Sequence, residues 1–344
     1  MAVTPSAKNV ELAALRQVFR GGGGSTTAVD DVSFTLTADP PQIVSLVGES
    51  GSGKSTIARS ILGLQPPTAG RVAYCGKDVY HLTRAEYDAY RRDVQPVFQD
   101  PYGIFNPFYR VDRVFWRAIE KFELARSKAD GLRLIEESLD AVGLRSLDVL
   151  GRYPHQLSGG QRQRVMLARV HMLRPSFIVA DEPVSMLDAA VRVLFLNVLL
   201  DFKQKYGMTT LFITHDLSTA YYLGGEIMVM SLGRIVERGQ VEDVMSNPAH
   251  PYTRQLLSSV PLPDPDQRWQ NRIQVAEATP PARAATRDRC LFAERCPYVM
   301  ERCWAERPPT LPAHEGQSAA CFLFDPSVAP PDGAASPAAE AARR

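Results

Sequence analysis

Gly48-Glu49-Ser50-Gly51-Ser52-Gly53-Lys54-Ser55-Thr56 is the stretch whose reading decides the fold. It lies between the apolar run Ile43-Val44-Ser45-Leu46-Val47 and the helical pattern Ile57-Ala58-Arg59-Ser60-Ile61-Leu62. Strand, glycine-rich loop and helix in that order match the phosphate-binding pattern G-x-x-x-x-G-K-[ST] at every position. The glycines let the backbone curl until successive N–H groups point at one centre, and the positive end of the following helix adds its field there. Lys54 is suited to reach β- and γ-phosphates, and the Ser55 hydroxyl to ligate Mg²⁺. Gly48, Ser50, Gly51, Ser52, Gly53 and Thr56 complete the expected contacts. The chain is expected to bind a nucleoside triphosphate.

Composition sets the frame around this loop. At 344 residues the chain suits one large domain with an appendage, or two domains. A net charge of +1 supplies no general attraction to nucleic acid. No apolar run approaches the roughly 20 residues that cross a bilayer, and the first residues lack the apolar core of a signal peptide. The expectation is a soluble cytoplasmic chain whose membrane association, if any, comes through a partner. Of five cysteines, Cys75 stands alone while Cys290, Cys296, Cys303 and Cys321 crowd together, which in a reducing compartment favours metal over disulfides.

Outward from the loop, residues 9–19 alternate weakly and Val29–Leu36 alternate at the strand period, with a glycine-rich turn at residues 21–25. A helix is expected over 54–63, then strands at 71–74 and around Val94 to Gln99. The aromatic residues Tyr102, Phe105, Phe108, Tyr109, Phe115 and Trp116 follow, with helical patterns at about 112–125 and 127–142. Val114, Ile119, Phe122, Leu132, Ile135 and Leu139 mark their apolar faces. The aromatics either pack this all-helical insertion or line a groove for a partner's helix.

Two further segments match the loop's chemistry. Leu157-Ser158-Gly159-Gly160-Gln161 opens a helix with Ser158 as N-cap, a second anion-binding helix start. Phe177-Ile178-Val179-Ala180 is a buried-type strand ending in Asp181 and Glu182, with Pro183 stopping it. Beside a phosphate loop, Asp181 is placed to hold the Mg²⁺ shell and Glu182 to polarise the attacking water. Asp188 opens a helix at 189–206, and the strand 210–214 ends at His215. Strands near 226–231 and 234–238 and a helix at 251–259 come next. Pro261, Pro263 and Pro265 mark a linker.

With these segments in register the chain resembles the ATP-binding subunits of ABC transporters over residues 8–260. Within that family it is most similar to the oligopeptide and dipeptide importer branch. The marks are Val97-Phe98-Gln99-Asp100-Pro101, Tyr153-Pro154-His155, Ala180-Asp181-Glu182-Pro183-Val184-Ser185 and Asn247-Pro248-Ala249-His250-Pro251-Tyr252-Thr253. The resemblance implies an α/β fold: a P-loop NTPase ABC cassette with a RecA-like core, an N-terminal antiparallel β subdomain and a helical insertion at about 102–172. It adds a small Cys-rich C-terminal region over 261–324, before a tail, 325–344, expected to be disordered.

The same resemblance implies the machine. Two ATP-binding subunits would meet head to tail, so that Ser158, Gly159, Gly160 and Gln161 touch ATP held by the partner's phosphate loop. His215 would contact the γ-phosphate, Gln99 would ligate Mg²⁺ and sense the permease, and Phe19 would stack on adenine. Glu182 and His215 are the expected catalytic residues. Two departures stand out: Met186 replaces the family's usual alanine, and Pro96 removes a backbone donor from the strand before Gln99. Two permease subunits and an extracytoplasmic solute-binding protein are the further partners, at the cytoplasmic face of the cell membrane.

Intervals of five, six and seventeen residues between the last four cysteines are looser than the knuckles of structural zinc sites. Four thiolates suit a [4Fe–4S] cluster, as the resemblance implies; zinc and free thiols are the alternatives. The expected solute is an oligopeptide or dipeptide, with oligosaccharide or nickel as alternatives; Phe105-Asn106-Pro107-Phe108-Tyr109 resembles sugar-importing members. A soluble, non-transport ABC ATPase is the reading from another class.

Overall fold

The computed structural model describes residues 8–21, 24–100, 103, 105–259 and 287–328. The chain divides into two compact units, Met1–Ser45 with Ser55–Thr214, and Leu46–Lys54 with His215–Arg344.

The first unit opens with the antiparallel hairpin β1 (Asn9–Gly21) and β2 (Gly24–Thr37), paired from Asn9 opposite Thr37 to Gly21 opposite Gly24 with register shifts between Leu12 and Val18. In β2, Val32, Phe34 and Leu36 are buried while Ser33 and Thr35 are exposed, the alternation of a sheet with one wet face. β3 (Ile43–Val47) is buried at every residue, as a strand covered on both faces must be. The phosphate loop leads into α1 (Lys54–Ile61), which stops two residues short of the expected end, before Gly63 at φ 68°. β4 (Ala69–Tyr74) pairs with β1 and β5 (Lys77–Asp78) with β4, giving the order β2-β1-β4-β5.

α2 (Arg84–Asp93) has no counterpart among the sequence expectations. Tyr90 is its one buried residue, so the apolar stripe is too thin to register. The Thr83–Glu86 capping box starts it. β6 (Val94–Val97) follows and pairs with β7 on one side. Pro96 therefore lacks its donor on the outermost strand of the sheet order, where the loss costs least.

The insertion is helical as expected: α3 (Arg113–Phe122), α4 (Lys128–Asp140), α5 (Ser146–Val149) and α6 (Gly159–Leu173). Phe115, Ile119, Ile135 and Leu139 are buried, but Leu132 is 40% exposed, off the packed stripe. Gly131 lies against Trp116, where a Cβ would meet the indole at 2.7 Å. The aromatic residues divide: Phe105 and Phe115 are core, whereas Phe108 is 85% exposed. Tyr102 lies outside the described residues. β7 (Phe177–Asp181), α7 (Ala189–Tyr206) and β8 (Thr209–Thr214) complete the unit, with β6, β7 and β8 parallel and β3 beside β8.

The second unit comprises α8 (Leu217–Leu223), β9 (Glu226–Ser231), β10 (Arg234–Gln240), α9 (Val241–Ser246), α10 (Pro251–Ser258), α11 (Glu301–Ala305), β11 (Leu311–His314) and β12 (Gln317–Ala319). β9, β10, β12 and β11 form an antiparallel ladder in that order. β12 pairs with β10, and Phe292 and Cys296 share a core with Val47, Leu217, Val229, Val244 and Tyr252. The proline linker and residues 329–344 of the tail lie outside the described residues. Among the described residues no helix is long and apolar enough to cross a membrane.

Candidate active site

The phosphate loop is shaped by the close approach of its backbone to the end of β9. Gly48 has φ 154°, and a Cβ there would meet the Met230 carbonyl oxygen at 2.1 Å, so no other residue fits. The Gly233 N–H donates to the Ser52 carbonyl at 2.9 Å, fastening the loop's far side. Inside the curl, the Lys54 ammonium donates to the Gly48 and Glu49 carbonyls, each at 2.8 Å, and to Ser52 Oγ at 3.3 Å. Lys54 is 4% exposed, so its charge is held where phosphate oxygens are to replace loop carbonyls.

One residue on, Ser55 Oγ donates to Asp181 Oδ1 at 3.1 Å. The pair offers two hard oxygen donors from α1 and from the end of β7, the set a Mg²⁺ ion prefers. Thr56 follows in the first turn of α1, half-buried. Glu182 leaves the strand at φ 44°, a left-handed conformation that costs about 1–3 kcal/mol in a residue with a Cβ. It is held there by its N–H, which donates to the Ile213 carbonyl at 2.9 Å, and by Ser185 Oγ, which donates to its carbonyl at 3.0 Å. The turn thus starts at the carboxylate assigned to the water.

Gln163 was missed by sequence reasoning. Its amide nitrogen donates to the carbonyls of Phe98 and Pro183, both at 3.0 Å, and the side chain is buried. It ties α6 to the residue before Gln99 and the residue after Glu182. The only signal was its place two residues beyond Gln161, where a polar side chain enters an otherwise apolar helix face.

Ser158 caps α6 through a capping box: the Gln161 N–H donates to Ser158 Oγ at 3.2 Å, and the Ser158 N–H to Gln161 Oε1 at 2.8 Å. A Cβ on Gly160 would meet Val191 Cγ1 at 2.5 Å, so glycine here lets α6 and the start of α7 touch. Ser158 is exposed, with Gly159, Gly160 and Gln161 half-buried behind it. Gln99 lies two residues past β6 and is exposed; Phe19, opposite Thr26 in the first hairpin, is 43% exposed. His215 is exposed directly after β8, next to Asp216, whose side chain accepts from the Ser218 N–H at the start of α8. Met186 is exposed.

The four cysteines expected to hold a metal come together in the second unit. Cys290, Cys296, Cys303 and Cys321 line one small cavity with Phe292, Tyr298 and Phe322. Burial pushes their thiols up, Cys290 to about 11, Cys296 and Cys321 to about 12, and Cys303 in the same direction. Among the described residues no three His, Cys, Asp or Glu side chains are placed to hold a metal ion.

Comparison with known proteins decides the family. Residues 29–185 match the ABC transporter family model, and residues 236–303 match the oligopeptide/dipeptide transporter C-terminal region. A probable peptide ABC transporter ATP-binding protein of Sinorhizobium fredii is 41% identical over 88% of this chain and 84% of its own length. The chain belongs to the ABC transporter ATP-binding family. An oligopeptide transport ATP-binding protein of Salmonella typhimurium is 37% identical over 87% of this chain and 88% of that protein. A putative oligopeptide transport ATP-binding protein of Bacillus subtilis is 38% identical over 92% and 95%. Among solved structures, a dimeric ATP-binding cassette in a post-hydrolysis state with ADP and Pi is 29% identical. It superposes with a TM-score of 0.60 over 67% of this chain and 98% of its own. The ABC cassette fold follows, and this member is an ATPase of the oligopeptide/dipeptide branch.

Proposed function

We propose that this ABC ATPase couples ATP binding and hydrolysis to import of oligopeptides or dipeptides, docked peripherally on two permease subunits at the cytoplasmic face of the cell membrane. A solute-binding protein outside would deliver the peptide. The observation that carries the reading is the contrast between a phosphate loop closed around Lys54 and an exposed, Ser158-capped helix start. Half of a nucleotide site is finished, and half is offered outward.

In this mechanism Lys54 and the loop N–H groups of Ser50 to Thr56 hold the β- and γ-phosphates, and Phe19 stacks on adenine. Ser55, Asp181 and Gln99 would hold Mg²⁺, which when bound would supply positive charge to offset that of the phosphates. Ser158, Gly159, Gly160 and Gln161 of a second ATPase subunit, the same chain or a related one, close over the γ-phosphate. Glu182 accepts a proton from the attacking water as its oxygen bonds to the γ-phosphorus. The bond to the bridging oxygen breaks and ADP leaves with that electron pair. His215 donates to the γ-phosphate during the step. Gln99, exposed two residues past β6, faces the permease and reports its state.

The domain division 8–260, 261–324 and 325–344 belongs to the same proposal, as does a [4Fe–4S] cluster on Cys290, Cys296, Cys303 and Cys321. What supports the cluster is that four thiols line one cavity; zinc is the alternative occupant. Bound there, it would serve as a staple, drawing the thiols to thiolates with release of protons. Brown protein absorbing near ~400 nm and containing iron supports it, and colourless protein holding zinc, or no metal, rejects it.

The function is tested by reconstituting the chain with the permease subunits and binding protein encoded beside it. ATP-driven uptake of labelled peptides is expected, and uptake of oligosaccharide or nickel instead would replace the solute. Purification with ribosomes or DNA rather than with membrane subunits would replace the class.

A further inference from the structure

The phosphate loop is gripped from outside the nucleotide machinery. The Glu49 N–H donates to Tyr252 Oη at 3.1 Å, so the second amide of the loop is turned onto a tyrosine of α10. The Glu49 side chain pairs with Arg295 at 3.6 Å, next to Cys296. Tyr252 is 1% exposed, its hydroxyl also meets Ser231, and its ring stands edge-on to Phe292 at 5.6 Å. Arg295 lies over the same Phe292 ring. Both arms thus converge on the aromatic residue that lines the cysteine cavity.

The Asn247–Thr253 segment explains how Tyr252 is aimed. The N–H groups of Ala249 and His250 donate to the buried carboxylate of Glu237 at 2.7 and 2.9 Å. Gln317 of β12 donates to the same carboxylate at 2.7 Å and to the Asn247 carbonyl at 3.2 Å. His250 Nδ1 then accepts from the Tyr252 N–H at 3.0 Å, setting the first turn of α10. A carboxylate in the core, bonded on several sides, fixes a helix whose second residue reaches the loop.

We infer that Tyr252 and Arg295 are positioning residues for ATP binding: the C-terminal stretch holds Glu49 so that the loop is pre-curled for phosphate. An N–H spent on Tyr252 cannot point at the ligand, so Glu49 acts as a fixed anchor while the amides after it converge. Pre-organising the loop in this way raises nucleotide affinity by sparing the cost of ordering it on binding. The inference rests on the ATP-binding role of the loop and adds a role for the residues beyond 250.

The test is ATP affinity of the purified full-length chain, read with a fluorescent ATP analogue and Mg²⁺, beside the melting temperature of the nucleotide-free protein. Tyr252→Phe keeps the ring and removes the acceptor. It is expected to weaken binding about 3- to 10-fold, with the KM for ATP raised and kcat at saturation unchanged. Arg295→Gln, at a partly exposed pair, is expected to weaken it about 2-fold, and Arg295→Lys to restore most of that. Unchanged affinity in Tyr252→Phe overturns the inference. Should that variant fail to fold, Arg295→Gln decides in its place, and unchanged affinity there overturns it equally. Lys54→Ala separates the two levels: if wild type binds no better than Lys54→Ala, the ATP-binding reading has failed, not this one.

Discussion

The helix starts at Lys54 and at Ser158 share one chemistry and are finished in opposite ways. At Lys54 the same chain braces the anion site: the lysine folded onto Gly48 and Glu49, the Gly233 N–H on Ser52, and the Tyr252 hydroxyl on Glu49. At Ser158 the chain supplies only a reciprocal cap with Gln161 and leaves the serine exposed. A site closed by its own chain can bind alone. A site built as a cap acts on something brought to it, and under the proposed mechanism that is the nucleotide of a second subunit.

The strongest way to sharpen this contrast is Glu182→Gln, which leaves both helix starts intact. Hydrolysis by the assembled transporter is expected to fall by at least about 100-fold while ATP binding persists. Retained turnover would show that the left-handed turn at Glu182 serves the fold alone. Ser158→Ala separates the two starts directly. Hydrolysis by the paired subunits is expected to drop about 10-fold or more, with ATP affinity of the single chain unchanged. A fall in single-chain affinity would erase the distinction.

Gln163→Ala removes two hydrogen bonds and leaves the Phe98 and Pro183 carbonyls unsatisfied, with an expected loss of about 2 kcal/mol in denaturant unfolding. Acid offers a gentler probe, because each helix start is backed by a buried histidine. Burial, with Arg174 nearby, lowers His171 on the Ser158 helix to about 4. Burial lowers His250, which caps the helix carrying Tyr252, to about 3. Both folded values lie below the unfolded value of 6.5, so the unfolded chain binds more protons between them. Stability is therefore expected to be full above pH 6.5 and to decline as pH falls towards 4 and 3, measured by chemical denaturation. His171→Phe should roughly halve the slope between pH 6.5 and 4 and leave the part below 4, which His250 supplies, unchanged. Smallest is Phe19→Ala at an exposed ring, expected to weaken ATP by about 1 kcal/mol without moving the melting temperature.

Much of the first site was legible because its chemistry is local. Gly48 to Thr56 is a contiguous segment in which a strand, glycines and a helix start must follow one another, and Asp181 and Glu182 sit where an apolar strand has to end. The alternating Val32, Phe34 and Leu36 and the long α7 announced themselves by period. What escaped was whatever depended on neighbours. α2 buries only Tyr90, so no stripe revealed it, and Leu132 carried the pattern of a core residue without the burial. Gln163 looked like one more polar residue in a helix until two distant carbonyls were found against it.

The cysteines show the same boundary most clearly. Their crowding, with the family resemblance, suggested a small metal-bearing C-terminal region. In the folded chain their stretch shares a core with Val47 and Tyr252, and burial pushes the thiols up. By itself the sequence determined the fuel and the family, because a backbone curl around phosphate needs particular residues at adjacent positions. Only the tertiary structure decided that Glu237, Tyr252, Phe292 and Arg295, spread over nearly sixty residues, close on Glu49. Hydrogen bonds and packing between distant segments leave no period in a sequence; they exist only once the chain has paid the entropy of folding.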